Sequence, residues 1–288
     1  MIWEAVAGAY YSAWTILSTD PRPASYLLLV LLVWFLERKY PAIPQQKFLS
    51  IGFFQDGLWY GMHLLFKVIF YGIWIKFLHG LYQTYFSFLT VTGAAQWDHW
   101  HRAILAILLV DFLAWLHHLI RHKVGLFWRF HMVHHSQSKM NLFTDARVHP
   151  VDSLIAKTLV FIPLFMFENA FPAMLAFATF LSCYTKFYHA NIRMNFGPLR
   201  YVLVTPQSHR VHHSFDASHQ DKNFGVFLCI WDRIFRTHFD PPEVFPETGI
   251  QDENFPLESK FGLFPMLGSA IKQLIYPFRP SRNRVPHS

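Results

Sequence analysis

The chain has 288 residues, of which 53% are hydrophobic, 18% are aromatic and only 15% are charged. A soluble protein usually carries about 25% charged residues, so this composition excludes an ordinary soluble enzyme and favours an integral membrane protein with one compact polar part. The net charge of +7 comes from Lys and Arg residues that flank apolar segments, as membrane proteins show. No nucleic-acid-binding motif accompanies it, and we predict no nucleic-acid partner.

We predict that the first region, residues 1–101, consists of membrane-anchoring helices. Its apolar segments are residues 2–17, 24–36 and 51–77. The last of these contains His63, which is either an extra metal ligand or a polar contact between helices. We favour the contact, because ionisable residues at membrane depth normally face the interior of a helix bundle.

Charge placement predicts the topology. Residues 77–101 contain neither Lys nor Arg, which indicates the non-cytoplasmic side of the membrane. A strongly apolar helix follows over residues 103–116 and emerges at a basic edge, and residues 154–184 read as a helical hairpin. The sequence therefore predicts an all-α integral membrane protein with about three to four membrane helices plus a hairpin. Its cytoplasmic helical di-metal domain would cover residues 102–240, and a C-terminal tail, 241–288, would contain an amphipathic helix near 263–276.

Three histidine clusters dominate residues 102–240. They are His118-Leu-Ile-Arg-His122, His131-Met-Val-His134-His135 and His209-Arg-Val-His212-His213. Residues three and four apart lie on one face of a helix, so the imidazoles of each box are expected to converge on one point. Neutral imidazole suits Zn, Cu, Fe and Ni. Eight histidines exceed the four that satisfy one tetrahedral ion, so two metal ions are the economical interpretation.

Asp111 and the two cysteines also bear on the composition of this site. Asp111 lies two helical turns before His118 and on the same face. It is either a carboxylate that orients an imidazole or a polar group in helix packing. The two cysteines, Cys183 and Cys229, are isolated in the sequence, so no Cys-x-x-Cys metal site is available.

At the histidine boxes the sequence resembles the fatty acid hydroxylase/sterol desaturase superfamily of integral-membrane di-iron oxygenases, over roughly residues 111–238. The resemblance includes Leu126-Phe-Trp-Arg-Phe-His131, His189-Ala-Asn191, Asn223-Phe-Gly225 and Trp231-Asp232. The chain departs from the family at Leu119, where an Arg is usual, and at Arg236 and His238, where Gly and an aromatic residue are common.

The resemblance implies a set of site residues. The metal ligands would be the eight box histidines, with His189 as a ninth. His149, which precedes a proline, would be either a further ligand or a residue that supports one. Asp111 and Asn191 are the candidate catalytic residues.

The resemblance also implies the chemistry. Two non-haem iron ions and molecular oxygen would hydroxylate or desaturate a C–H bond of a lipid, such as a fatty acyl chain or a sterol. No haem- or flavin-binding motif is recognised, so an external electron donor of the cytochrome or ferredoxin type is expected. The site would lie on the cytoplasmic face of the membrane.

Two other classes of protein fit part of the pattern. A metal-transporting or metal-storing membrane protein would place its ligands near mid-membrane, whereas these boxes lie at helix ends among Arg and Lys. A zinc-dependent membrane hydrolase would need a positioned Glu, as in His-Glu-x-x-His, and neither the second nor the third box has one.

Overall fold

The computed structural model describes residues 22–167, 171–239, 241–258 and 260–279, and within these ranges the regular structure is helical, with isolated β-bridges and no strand. The α-helices are α1 (Arg22–Lys39), α2 (Ile51–Phe66), α3 (Gly72–Leu81), α4 (His99–Lys123), α5 (Gly125–His135), α6 (Pro150–Val160), α7 (Ile162–Met166), α8 (Phe171–His189), α9 (Pro206–His212), α10 (Ile230–Ile234) and α11 (Leu263–Ile275). Short 3-10 helices cover Ser87–Leu89, Ala94–Gln96, Thr144–Ala146, Gly197–Tyr201, Ala217–His219 and Tyr276–Phe278. The helix expected at residues 2–17 lies outside the described residues.

One long helix and α4 form the candidate membrane region. Ser50 caps the start of α2 by accepting a hydrogen bond from the Phe53 N–H. The helix then continues through two π-helical turns, Lys67–Tyr71 and Tyr82–Phe86, as far as Leu89. This helix and α4 are the two in the described part of the chain that are long and apolar enough to cross a membrane. Each exceeds the ~20 residues that a crossing needs.

The all-α class is confirmed, and the number of membrane spans stays a prediction. Only two helices of the described residues meet the length and apolarity of a span, against the three to four spans plus a hairpin that the sequence predicts. α1 is apolar in its middle but charged at both ends. The region of the predicted hairpin forms three helices, α6, α7 and α8.

α4 is the central helix of the fold, because it contacts α5, α6, α7 and α8. The C-terminal segment is also integral to the structure. The Trp59 indole N–H on α2 donates to the Gln273 side chain on α11 at 2.9 Å, and Trp59, Met132 and Ala270 belong to one buried cluster. The opposite face of α11 is apolar and exposed, including Phe264, as the amphipathic helix predicted near 263–276 would be.

A buried ion network joins three distant parts of the chain. Arg147, which is fully buried, contacts Asp56 on α2 at 2.6 Å and Glu258 at 2.7 Å. Asp56 Oδ2 also accepts hydrogen bonds from Asn141 and Thr144. The loop between the second histidine box and α6 is thereby fixed to α2 and to the C-terminal segment.

Labelling of introduced cysteines tests the topology. Thr92, in the turn before α4, and Lys139, after the second histidine box, are both exposed. In a chain whose Cys183 and Cys229 are replaced by Ala, Thr92→Cys and Lys139→Cys are expected to react with a membrane-impermeant maleimide from opposite sides of the membrane, because α4, a candidate membrane span, lies between them. Labelling of both from the same side would refute this topology.

Candidate metal centre

Four helices bring the histidines together. α4 carries His118 and His122 one turn apart near its C-terminal end, and α5 carries the whole second box. The third box occupies α9 and the residue after it, and α9 begins at a capping box between Thr205 and Ser208, with Pro206 in its first turn. α8 ends at His189. The sharp starts and ends of these helices place nine imidazoles in one buried region.

The imidazoles form two groups, in each of which the ligand atoms lie within 4.8 Å of one another. The first group contains His118, His122, His131, His135 and His212, and the second contains His134, His189, His209 and His213. Every member is buried. The groups adjoin, since the rings of His135 and His213 stack with their centroids 4.2 Å apart.

The second and third boxes are each divided between the groups, whereas the first box lies wholly in the first group. The division differs from the expectation that each box converges on one point. The i, i+4 partners His131 and His135 share the first group, whereas His134 belongs to the second. The reason is helical geometry: at about 100° per residue, position i+4 lies about 40° from position i and position i+3 about 60° to the other side. One box therefore serves two adjacent sites.

The distances between nitrogen atoms fit metal coordination. His135 Nε2 lies 3.2 Å from the Nε2 atoms of both His122 and His131. In the second group, His209 Nε2 lies 2.8 Å from that of His189 and 3.1 Å from that of His213. Two nitrogens that each bind one ion at about 2.1 Å are about 3.0 Å apart when they subtend a right angle. The two donor sets thus fit two ions.

Contacts on the outer side of the rings fix their orientation. The Nδ1 atoms of His118, His212 and His189 lie at 2.9, 2.8 and 2.7 Å from the backbone carbonyls of Phe224, Lys222 and Thr185. His131 Nδ1 lies 3.1 Å from Asp152 Oδ2. Such contacts make Nδ1 the protonated nitrogen and leave Nε2 for a metal. The Nε2 atoms of His118 and His212 are buried and lack a hydrogen-bond partner in the protein, which is the state expected of a ligand atom.

Burial also selects the ionisation state that binds metals. Desolvation lowers the pKa of His212 to about 3 and that of His189 to about 4. It lowers the pKa values of His131, His134, His135, His209 and His213 well below the usual range. These imidazoles are therefore neutral at pH 7, and a neutral imidazole nitrogen has the lone pair that a metal ligand must offer.

Asp111 contacts the backbone of a neighbouring segment and does not touch an imidazole of either group. It accepts hydrogen bonds from the Phe227 N–H at 3.1 Å and from the Trp231 indole at 2.8 Å. Asp232 acts in the same segment, accepting from the Trp115 indole at 3.0 Å and the Phe224 N–H at 2.8 Å. The two carboxylates hold this segment against α4, and the Phe224 carbonyl faces His118. Asp111 thus contacts no imidazole itself but fixes the segment whose Phe224 carbonyl contacts His118.

Asn191 and His149 also lie outside the two groups. Asn191 accepts from the Ile43 N–H at 2.9 Å and donates to the Ile43 carbonyl at 3.1 Å, two residues after His189. His149 caps α6 by accepting from the Val151 N–H at 3.1 Å, and its Nε2 lies 3.0 Å from the Leu274 carbonyl. Both side chains hold segments in place, and His63 is absent from both groups as well.

The sequence alone missed the partners of the imidazoles. Asp152 contacts His131 and also accepts from Arg121 at 3.1 Å. Its only signal is its position in the first turn of the helix that begins at Pro150. The carbonyls of Thr185, Lys222 and Phe224 have no signal in a sequence, because every residue carries such a group.

The close packing around Gly225 explains why the Asn223-Phe-Gly225 motif ends in a glycine, and it predicts the effect of replacing that residue. A Cβ atom there would lie 2.8 Å from Val204 Cγ2 and 2.9 Å from the Leu228 carbonyl oxygen. Gly225→Ala must therefore displace the segment that holds His118. We expect a loss of about 1–3 kcal/mol in stability and a lower metal content, measured by thermal unfolding and metal analysis. Gly268→Ala is the matched control, since a Cβ there meets nothing within 4 Å. Equal metal content and stability in both variants would contradict this role.

Comparisons with known proteins match this region. The family model for fatty acid hydroxylase matches residues 103–237. The ornithine lipid hydroxylase OlsE of Rhizobium tropici is 32% identical over 150 residues, which are 51% of this chain and 44% of that protein. The alkylglycerol monooxygenase of Homo sapiens is 35% identical over 145 residues, 49% of this chain and 31% of that protein. The very-long-chain aldehyde decarbonylase GL1-7 of Oryza sativa subsp. japonica is 27% identical over 151 residues, 47% of this chain and 23% of that protein.

The match is confined to one part of these relatives. The chain spans less than half the length of the curated relatives named above. No solved structure matches it.

Proposed function

We propose, from the match of residues 103–237 to the fatty acid hydroxylase family model and from the relatives it resembles, that this chain is a membrane-bound oxygenase of the fatty acid hydroxylase/sterol desaturase superfamily that modifies a lipid. The relatives are named as a lipid hydroxylase, a monooxygenase of alkylglycerols and a decarbonylase of aldehydes. The first two names both describe the oxygenation of a lipid, and this is the activity that we propose for the chain.

The observation that carries the proposal is the pair of adjoining, carboxylate-free imidazole groups. A transporter must release its ion, whereas here several outer nitrogens are held by backbone carbonyls or by Asp152 and all nine rings are buried. A hydrolase needs a free general base. The carboxylates that lie against the rings, Asp152 at His131 and Asp221 at His122, are each paired with a cation, Arg121 and Lys123. Redox chemistry needs neither a releasable ion nor a free carboxylate, so it fits the arrangement better.

Iron is the metal that the family implies, and bound in the two groups it would supply the electrons and the Lewis acidity needed to use molecular oxygen. The overall reaction balances with two electrons and two protons from an external donor. For hydroxylation, one oxygen atom enters a C–H bond and the other leaves as water. For desaturation, two hydrogens leave the lipid and both oxygen atoms leave as water.

The chain's own residues then have three tasks. The nine histidines hold two ions side by side in a fixed orientation. The buried surroundings exclude bulk water, which would otherwise intercept the reaction. Asp111, Asp152 and Asp232 keep the imidazoles or their supporting segment in place.

The setting of the site suits a lipid substrate. The first ligands, His118 and His122, lie near the end of a helix long and apolar enough to cross a membrane. The hydrocarbon chain of a lipid in the bilayer can reach such a position without passing through water. We assign the centre to the cytoplasmic face, because the adjacent residues Arg121, Lys123 and Arg129 are basic. The same basic rim would attract an acidic cytochrome or ferredoxin as electron donor.

Labelled oxygen gas tests the proposal. Purified protein loaded with iron is given a lipid, a chemical reductant and ¹⁸O₂. A hydroxylase is expected to place one ¹⁸O atom in the product alcohol, whereas a desaturase gives an unlabelled alkene together with labelled water. Lipid modification that continues without oxygen, or product oxygen that comes only from water, would refute an oxygenase.

A further inference from the structure

A cavity of about 320 Å³ lies outside both histidine groups, between the end of α1 and the segment that follows His189. Its lining includes Glu37, Arg38, Gln46, Phe48, Asn141 and Asn191. Ligand pockets usually have volumes of about 300–1,000 Å³. This cavity is therefore large enough for a small polar group and too small for a whole lipid.

Two buried oxygen atoms at the cavity have no hydrogen-bond partner in the protein. Glu37 is only 6% exposed, and its Oε1 accepts from the Asn191 N–H at 2.8 Å while its Oε2 accepts from nothing. Gln46 donates its amide N–H to the Met140 carbonyl at 2.8 Å, whereas its Oε1 is buried without a donor. Buried acceptors are rarely left unsatisfied in native proteins, so both atoms indicate a ligand that donates hydrogen bonds.

The remaining polar groups of the cavity narrow the chemistry of that ligand. The Asn191 side chain bonds to both backbone groups of Ile43, and its oxygen also lies 3.5 Å from Arg210 Nη1. The Asn141 side chain bonds to Asp56, Lys139 and Phe143. The guanidinium of Arg38 lies 4.9 Å from the centroid of the Trp34 ring, in an exposed position. The cavity thus offers two acceptors in its wall and one cationic donor at its rim.

A hydroxyl group satisfies this set best. It can donate to Glu37 or Gln46 and accept from Arg38, and two neighbouring hydroxyls can serve both acceptors. An ionised carboxylate or phosphate has no proton to donate to the free oxygen of either Glu37 or Gln46. An ammonium group donates but cannot accept, and it would lie beside the positive charge of Arg38.

We propose that this cavity seats a hydroxyl-bearing head group of the lipid substrate, with Glu37 and Gln46 as the acceptors that select it. The assignment rests on the proposed lipid oxygenase function and names the substrate class of that site. Asn191 is two residues from His189, so their Cα atoms are separated by at most about 7 Å. A head group bound against Asn191 is therefore close to the second histidine group. Phe48, whose ring centroid lies 6.1 Å from that of Trp34, gives the cavity an apolar wall against which the lipid chain would pack.

Lipid binding to the purified full chain in detergent tests the assignment without requiring turnover. The probes are 1-monopalmitoylglycerol, palmitic acid and hexadecylamine, which share a chain length and differ in the head group. The variants are Glu37→Gln, which keeps an acceptor for the Asn191 N–H but turns the other oxygen into a donor, and Gln46→Leu. Glu253→Gln, at an exposed position, is the matched control. Metal content and the thermal unfolding midpoint are measured for each variant.

Wild-type protein is expected to bind 1-monopalmitoylglycerol about tenfold more tightly than palmitic acid. Glu37→Gln is expected to lose about tenfold in affinity for the glyceride and nothing for palmitic acid, as the loss of one hydrogen bond to a buried carboxyl oxygen predicts. Gln46→Leu is expected to lose several-fold, and it carries the test should Glu37→Gln fail to fold. Glu253→Gln is expected to bind as wild type does.

Equal binding of the glyceride and palmitic acid, or unchanged glyceride binding in folded Glu37→Gln and Gln46→Leu, would overturn the assignment. Tightest binding of hexadecylamine, lost in Glu37→Gln, would overturn it in favour of a cation site. Failure of the oxygenase function would appear as absent oxygen-dependent turnover with the binding ratios intact. The two failures are therefore distinguishable.

Discussion

Replacing His134 or His212 with alanine is expected to remove most of one metal ion and to reduce turnover below about 1% of wild type. Loss of a residue that only supports a metal ligand typically costs 10–100-fold in affinity or activity, and these two imidazoles are themselves members of the groups. His134→Ala leaves three histidines in its group and His212→Ala leaves four in its own. The larger metal loss is thus expected for His134→Ala.

His149→Ala is the matched control for these variants. Its imidazole is also buried, but it caps α6 and belongs to neither group. We expect full metal content and a stability loss of about 1 kcal/mol, the usual cost of a lost helix cap. Metal analysis and thermal unfolding of the three variants provide the measurements. Full metal content in His212→Ala, or metal loss in His149→Ala equal to that in His134→Ala, would contradict the assignment of ligands.

Replacing Arg147 with alanine is expected to destabilise the protein by about 3–5 kcal/mol, because removal of one partner leaves the buried charges of the others uncompensated. Arg147 is fully buried, as is Asp56, and Glu258 is nearly so. The loop between the second histidine box and α6 would lose its connection to α2 and to the C-terminal segment, so the metal content should fall as well.

The thermal unfolding midpoint in detergent measures this effect, with Arg236→Ala, at an exposed position, as the matched control. Arg147→Lys separates charge from geometry. A lysine restores the charge but cannot make the paired contacts of a planar guanidinium, so it should recover only part of the stability. An Arg147→Ala variant as stable as Arg236→Ala would show that the network contributes nothing to the fold.

The histidine constellation could be read from the sequence because its information is local. The spacing within each box places imidazoles on defined sides of a helix, and nine of the ten candidate ligands are the nine that the structure brings together. The division of the second and third boxes between two groups was not anticipated. It depends on where α8 and α9 approach α5, which no local pattern encodes.

The roles of Asp111, Asn191 and His149 show where sequence reasoning ends. Asp111 shares a face of α4 with His118, yet its partners come from residues 227–231, more than a hundred positions away. Asn191 lies two residues after His189 but bonds to Ile43. Contacts of this range depend on the packing of the whole chain, as does the C-terminal segment that supplies Glu258 to Arg147.

The number of metal ions per chain decides whether the two histidine groups hold a di-iron centre. We predict that the purified wild-type protein, prepared without added metal and analysed by elemental mass spectrometry against protein concentration, contains two iron ions per chain. A preparation that is active with a single zinc ion per chain, or one that turns over lipid with no metal at all, would contradict it.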